Sequence, residues 1–186
     1  MTDRFTYPCA LRWSDMDAYG HVDNTTVGRY FEEARIAMLH DLMPAPGAGA
    51  PEGGFVVARQ EIHYLAPLTY RQEPVTVEVW TTFLRTFFFD LAGEVRDGDR
   101  VYATAWTTVV GYNFARGRIR PLRQEERRRL EGHRGDPPQV VRIRDVPMEG
   151  PRLGFRAADA VTAAHHQLEE DPCTPSTPTS PPLPTR

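Results

Sequence analysis

The feature that most constrains the fold is one amphipathic helical pattern placed between a short strand-like run and four longer ones. Asn24 or Thr25 is the predicted N-cap of this helix, and Met43-Pro44 ends it near Leu42. Apolar side chains recur at the spacing of one helix face: Val27, Tyr30, Phe31, Ala34, Met38 and Leu42. The pattern therefore predicts one long helix with a single buried face.

Strand-like alternation precedes the helix and returns after the Pro- and Gly-rich residues 44–54. Asp97-Gly98-Asp99 predicts a tight hairpin between the last two strands. The five predicted strands are Phe5–Trp13, Phe55–Ala66, Val75–Leu84, Phe87–Arg96 and Val101–Tyr112. This order predicts an α+β domain in which an antiparallel sheet wraps around the helix, because each then buries the apolar face of the other.

The C-terminal part of the sequence has a different composition. Gln124–Leu130 predicts a short charged helix, whereas ten of the 17 prolines follow residue 135. Because such a density opposes a packed core, we expect a folded domain at residues 1–134 and a largely disordered tail at residues 135–186. Within this tail, residues 154–170 predict a weak helix and residues 171–186 an extended chain.

Composition excludes several classes of function. The net charge is −3, and all 22 basic residues are Arg. A chain without Lys forms no lysine Schiff base and attaches no pyridoxal phosphate, and its charge gives no general attraction to nucleic acid. No apolar run approaches the roughly 18 residues of a membrane span, and the N-terminus lacks a secretion signal. We expect a cytoplasmic protein that acts without a membrane.

The polar loop at residues 12–24 carries the residues most suited to chemistry. It contains Asp15, Asp17, Gly20 and His21, and it leads directly into the predicted helix. A carboxylate at this position lies beside a helix N-terminus, where free N–H groups can bind a developing negative charge. The pattern therefore predicts a nucleophile or general base next to an oxyanion site.

The same loop resembles a known family. Asp15, Asp17, Gly20, His21, Val22 and Asn24 match the D-x-D-x-x-G-H-V/I-x-N segment of hotdog-fold acyl-CoA thioesterases of the 4-hydroxybenzoyl-CoA thioesterase type. The resemblance implies a hotdog fold, hydrolysis of an acyl-CoA or acyl-carrier-protein thioester, and a homodimer or homotetramer. It implies no cofactor. The six His residues show no metal-ligand spacing, so we expect no metal site.

Within this family the second Asp of the segment carries catalysis, which maps onto Asp17. A thioester carbonyl needs a nucleophilic carboxylate or one that activates water, together with donors for the oxyanion. We expect Asp15, Gly20, His21, Val22 and Asn24 to support the loop and the oxyanion site, with the N–H groups around Asn24 as donors. The alternative is that both aspartates only form turns or cap the helix.

Two positions depart from the family pattern. Asp23 stands where relatives often carry Asn, and Val27 stands where many carry Tyr. Asp23 adds negative charge beside the expected oxyanion site unless its side chain points to solvent. Val27 removes a phenol that could have contacted the acyl group or Asp17. These departures bear on rate and substrate choice more than on the fold.

Binding of coenzyme A requires cations for its phosphates, and Arg makes bidentate contacts with them. The candidates are Arg85, Thr86, Arg118 and Arg120, which lie near an aromatic run and near a cluster of arginines. The alternative for these residues is a solvated sheet edge. Because the chain has no Gly-rich phosphate loop, coenzyme A is expected in a groove between subunits.

Two other functions remain open from the sequence. A hotdog dehydratase or hydratase would use a helical acid such as Glu32 or Glu33, although its H-F-P-G-like loop is absent. A non-catalytic acyl-binding or scaffold protein would use the Pro-rich segment Pro172–Pro184 to recruit a partner. The sequence does not name the acyl group, and it does not separate covalent catalysis from general-base catalysis.

Overall fold

The structure is a computed structural model that describes residues 4–40 and 53–138. These residues belong to the first of two compact units, which spans Met1–Gln139; the second spans Val140–Arg186. The helix expected at residues 154–170, the extended chain expected at residues 171–186 and most of the expected disordered tail lie outside the described residues.

The described chain forms two α-helices and six strands. Helix α1 is Asn24–Leu39 and helix α2 is Gln124–Gly132. The strands are β1 (Phe5–Cys9), β2 (Gly54–Tyr64), β3 (Val75–Leu84), β4 (Phe88–Asp97), β5 (Arg100–Asn113) and β6 (Arg118–Ile119).

The strands form one antiparallel sheet in the order β1-β3-β4-β5-β2, with β6 paired to the end of β5. The prediction of five strands was wrong, because the sheet has six. Strand β6 has only two residues and pairs Tyr112 with Ile119, so it is too short to show alternation. The predicted hairpin between β4 and β5 is confirmed: Asp97 pairs with Arg100, and Gly98 has a φ of 53°.

Both ends of helix α1 differ slightly from the prediction. The N-cap is Asp23, whose carboxylate accepts a hydrogen bond of 2.8 Å from the Thr25 N–H. The helix ends at Leu39 and not near Leu42. The first strand ends at Cys9, because residues 13–15 form a short 3-10 turn that leads into the polar loop.

Helix α1 packs against one face of the sheet and forms the core with it. The helix positions predicted to be buried face the sheet at Val27, Phe31, Ala34 and Met38. The fit is close at Gly93 in β4, where a Cβ would lie 2.9 Å from Cδ1 of Phe31. Any larger residue there would push the helix away from the sheet. This packing fixes the start of α1, and therefore the polar loop, against the ends of the strands.

The chain remains in contact with the sheet beyond the expected domain boundary at residue 134. The Thr81 N–H donates to the His133 carbonyl at 2.8 Å, and the Gly135 N–H donates to the Thr81 carbonyl at 2.9 Å. The Trp80 indole N–H donates to the Asp136 carbonyl at 2.8 Å. Residues 133–136 therefore extend the sheet beside β3 and cover Trp80, which is fully buried.

Candidate active site

The loop that carries Asp17 closes on itself through backbone hydrogen bonds. The Asp17 N–H donates to the His21 carbonyl at 2.7 Å, and the Gly20 N–H donates to the Asp17 carbonyl at 3.2 Å. Gly20 has a φ of 76°, in the left-handed region that favours glycine. Oδ1 of Asp17 accepts the N–H groups of Tyr19 at 2.8 Å and His21 at 3.1 Å. One oxygen thus orients the carboxylate, while Oδ2 makes no hydrogen bond within the described residues.

Asp15 lies only two residues away, but its side chain has different partners. Its carboxylate accepts the Tyr30 phenol at 2.6 Å and the Arg12 N–H at 2.8 Å. Burial, and then the hydrogen bond to Asp15, raise the pKa of Tyr30 far above its usual value. The Asp15 carbonyl also accepts the Asp23 N–H at 2.8 Å. Asp15 therefore connects the loop to helix α1.

Asp17 lines a cavity of about 450 Å³ at one end of the sheet. Asp15 does not line this cavity. The walls come from the polar loop, the start of α1, the segment after β2 and the adjoining ends of β4 and β5. The lining residues are Asp17, His21, Val22, Asn24, Val27, Tyr64, Leu65, Ala66, Pro67, Leu68, Val95, Tyr102 and Ala103. The arrangement is a carboxylate at the mouth of a mainly apolar cavity.

Within the described residues, the start of helix α1 has one backbone N–H without a hydrogen-bond partner, and it belongs to Asn24, which lines this cavity. The N–H of Thr25 is bound by the Asp23 carboxylate, and the N–H groups of Thr26 and Val27 donate to the Asp23 carbonyl at 3.0 and 3.1 Å. Among the described residues, the Asn24 N–H has no such partner. The Thr25 hydroxyl and N–H lower the pKa of Asp23, so its carboxylate is charged at neutral pH. The expected group of donors is thus reduced to Asn24.

Several cavity residues were not among the predicted site residues. Tyr64 at the end of β2 donates its phenol to the Asn24 carbonyl at 3.0 Å, and Tyr102 enters from β5. Burial, and then the Asp23 charge, raise the pKa of Tyr64. Residues 65–68 form another part of the cavity wall. The apolar run at the end of β2 was the only sequence signal for this wall. Such a run is equally typical of residues in the hydrophobic core.

The four residues expected to bind coenzyme A lie at the other end of the sheet. Arg85 and Thr86 are exposed in the turn between β3 and β4, where the Arg85 guanidinium lies 4.6 Å from the Phe83 ring centroid. Arg118 is exposed in β6. Seven residues of β4 separate Phe88 at this end from Val95 in the cavity, which is about 23 Å at the rise of a strand.

Arg120 makes a buried ion pair at that same end. Its guanidinium contacts both carboxylate oxygens of Glu126, at 2.7 and 2.8 Å, and reaches the Gly54 carbonyl at 3.3 Å. Glu126 also accepts the Arg123 N–H at 2.7 Å and is only 3% exposed as a side chain. The guanidinium of Arg120 is therefore used within the protein and is not presented to a ligand.

In residues 4–40 and 53–138, no three His, Cys, Asp or Glu side chains lie together as a metal site would require. None of the helices in this part of the chain is long and apolar enough to cross a membrane.

An antiparallel sheet packed on one long helix, with a carboxylate loop at the start of that helix, is consistent with a hotdog fold. Residues 11–141 match the thioesterase-like superfamily, and the chain belongs to it. This membership confirms the predicted class of enzyme, a thioester hydrolase. The comparison with curated proteins finds no significant match.

Solved structures show the same likeness. A predicted thioesterase from Bacillus stearothermophilus is 27% identical, with a TM-score of 0.66 over 73% of this chain and 100% of that one. A Thermus thermophilus thioesterase complexed with coenzyme A and Zn is 29% identical, with a TM-score of 0.59 over 69% and 92%. A 1,4-dihydroxy-2-naphthoyl-CoA thioesterase from Synechocystis shares the fold. It is 18% identical, with a TM-score of 0.61 over 69% of this chain and 96% of that one.

Proposed function

We propose that the protein hydrolyses the thioester bond of an acyl-CoA, with Asp17 as the catalytic carboxylate. The observation that carries this proposal is the geometry of Asp17: two N–H groups hold Oδ1, and the side chain lines an apolar cavity beside the Asn24 N–H. A thioester carbonyl in this cavity can meet a carboxylate on one side and a helix N-terminal donor on the other. Asp15, bound to Tyr30, acts as loop support.

The reaction follows one of two courses from this geometry. The Asp17 carboxylate attacks the carbonyl carbon, the thiolate of coenzyme A leaves, and water then hydrolyses the mixed anhydride. Alternatively, Asp17 takes a proton from water as that water attacks, and the thiol leaves after accepting the proton. In both courses the Asn24 N–H donates to the carbonyl oxygen as its negative charge develops. Gly20 and His21 hold the loop, and Val22 forms the cavity wall.

A second copy of the chain completes the proposed site. Strand β2 ends the sheet on one side, so its outer edge offers unpaired N–H and C=O groups. A groove of about 600 Å³ between α1 and β2 shares Asn24 and Tyr64 with the Asp17 cavity. A symmetric pairing of β2 edges would close both openings, which supports a homodimer, alone or within a homotetramer.

The expected coenzyme A contacts divide into two groups on this view. Arg85, Thr86 and Arg118 lie about 23 Å or more from the cavity of their own protomer, so we propose that they contact coenzyme A only across a subunit interface. Arg120 is removed from this group, because Glu126 binds both of its terminal nitrogens. The coenzyme A bound to the Thermus thermophilus relative supports the same class of ligand here.

The hydratase alternative has less support. Its helical acid would have to face the cavity, yet neither Glu32 nor Glu33 is among the cavity residues. The Glu32 side chain is exposed on α1, 3.8 Å from the Arg35 guanidinium. The finer assignment to the 4-hydroxybenzoyl-CoA thioesterase type, and with it an aromatic acyl group, remains part of the proposal.

Release of free thiol from short, long and aromatic acyl-CoAs tests the function. We expect Asp17→Asn to lower kcat by about 10²-fold, the scale of acid–base catalysis, with substrate Kd little changed. Glu33→Gln, on an exposed helix position, is the matched control. Hydration of enoyl-CoA without thiol release, or full activity of the Asp17 variant, would overturn the proposal. Light scattering on the active sample should give the mass of a dimer or tetramer.

A further inference from the structure

Two exposed aromatic side chains form a corner beside the Asp17 cavity. Trp13 is 76% exposed and Tyr70 is 38% exposed, although both are large apolar residues. Their ring centroids lie 5.6 Å apart, with the planes at 84°. Exposed aromatics held in a fixed mutual geometry offer a free ring face to a planar ligand. Neither ring has a role in the core or in the proposed hydrolysis.

The corner is built on the same two segments as the cavity. Trp13 lies four residues before Asp17, and Tyr70 lies two residues after Leu68, and both Asp17 and Leu68 line the cavity. The Val22 N–H donates to the Leu68 carbonyl at 2.7 Å and so ties the two segments together. Four residues span at most about 14 Å, which places Trp13 within reach of an extended arm that starts at Asp17.

Each aromatic residue is next to an arginine in the chain. Arg12 precedes Trp13 and is exposed, and Arg71 follows Tyr70. Nη1 of Arg71 pairs with Asp97 at 2.8 Å and its Nη2 is buried, so this guanidinium is used within the protein, as that of Arg120 is. Arg12 is therefore the exposed cation next to this corner in the chain. An exposed aromatic face followed or preceded by such a cation suits a purine base that carries phosphates.

We propose that the Trp13–Tyr70 corner binds the adenine nucleotide of coenzyme A. This inference rests on the proposed function, and it assigns the nucleotide to the protomer that holds the reacting Asp17. It also separates two classes of substrate. Coenzyme A carries a base at the end of its pantetheine arm, whereas the same arm on a carrier protein carries none. The corner therefore favours acyl-CoA over an acyl carrier protein.

Kinetics on two substrates with one acyl group test the corner. Acyl-CoA carries the nucleotide and acyl-pantetheine lacks it. Because stacking of one base contributes about fivefold or more in binding, Trp13→Ala and Tyr70→Ala should each raise KM for acyl-CoA by about fivefold or more. Their kcat, and both constants for acyl-pantetheine, should stay unchanged. Phe114→Ala, which removes a 45% exposed aromatic at the other end of the sheet, is the matched control.

Fluorescence gives a measurement that needs no hydrolysis. Trp13 is the most exposed of the three tryptophans, since Trp80 is buried and Trp106 is half-buried. Coenzyme A and adenosine 3′,5′-bisphosphate should both quench the emission, and Trp13→Phe should remove the quench.

Quenching without thioester hydrolysis would support the corner and overturn the proposed function. Hydrolysis without quenching, quenching that persists in Trp13→Phe, or an equal rise in KM for both substrates would overturn the corner and leave the function standing.

Discussion

The two ends of the sheet carry charged residues that are used in opposite ways. At the end where α1 begins, the Asp17 carboxylate is held only by backbone N–H groups and faces a cavity. At the other end, the Arg120 guanidinium and the Glu126 carboxylate bind each other and are buried. The first end has a charge oriented for a ligand, and the second has charges already neutralised within the fold.

The difference shows that the partners of a charged residue in the structure indicate its role better than the number of like charges near it in the sequence. Arginines are concentrated at residues 116–120, which the sequence made candidates for phosphate binding. A buried, hydrogen-bonded pair such as Arg120 with Glu126 is costly to open, and its opening leaves an uncompensated charge. Among the residues that the structure describes, no cation pairs with Asp17, so its carboxylate can meet a substrate without breaking an ion pair there.

The largest expected effect on stability comes from the end of the sheet that carries the buried pair of Arg120 and Glu126. Glu126→Ala leaves the Arg120 guanidinium buried without its carboxylate, which should cost about 3–5 kcal/mol of unfolding free energy. Thermal unfolding should show a Tm lower by about 10 °C. Glu125→Ala, on the exposed face of the same helix, is the control and should leave Tm nearly unchanged.

This variant also tests the comparison itself. Per folded molecule, Glu126→Ala should keep the KM of the wild type for acyl-CoA, because the pair has no role in binding. A changed KM at an unchanged Tm would mean that Arg120 contacts coenzyme A as the sequence suggested, and the contrast between the two ends would fail.

A smaller effect on stability is expected from Asp15, whose carboxylate connects the catalytic loop to helix α1. Asp15→Asn weakens the bonds that the carboxylate accepts from the Tyr30 phenol and the Arg12 N–H. Hydrogen bonds to charged groups contribute about 1.5–3 kcal/mol, and an amide oxygen keeps part of this. We expect a Tm lower by a few degrees and a kcat within about threefold of the wild type. An Asp15 variant with no activity, beside an active Asp17→Asn, would reverse the two roles.

How much of this could be predicted from the sequence depended on how local each signal is. The buried face of α1, strand β3 and the hairpin at Gly98 were predicted correctly, because periodicity and turn chemistry act within a few residues. The cavity wall at Leu65–Leu68 and the pairing of Arg120 with Glu126 could not be predicted. Both depend on which distant segments the sheet brings together, and neither leaves a periodic trace.

The N-cap of α1 was predicted at Asn24 or Thr25, one or two residues late, for a related reason. Asp, Asn and Thr are all good N-caps, and Asp23-Asn24-Thr25 offers three in a row. The choice among them is made by the loop, since the Asp23 N–H is fixed to the Asp15 carbonyl. Local preference thus located the start of the helix, and a contact within the folded loop selected the residue.

The smallest expected effect concerns that cap, which brings a negative charge to the catalytic end. Its pKa lies below the ordinary 3.8, because the Thr25 hydroxyl and N–H favour the charged form. A carboxyl with a lowered folded pKa adds stability that is fully present above 3.8 and is lost as the pH falls through the folded pKa. The Tm of Asp23→Ala should therefore lie below that of the wild type at pH 7, and the two should converge in acid.

Asp23→Asn separates the cap from its charge. Asn caps a helix about as well as Asp, so its Tm should stay close to that of the wild type at pH 7 and show no added loss in acid. The variant also removes a negative charge beside the Asn24 N–H, so kcat should rise by about twofold if that N–H binds the oxyanion. A fall in kcat at an unchanged Tm would mean that the Asp23 charge takes part in the reaction. The catalytic end would then depend on two carboxylates and not on Asp17 alone.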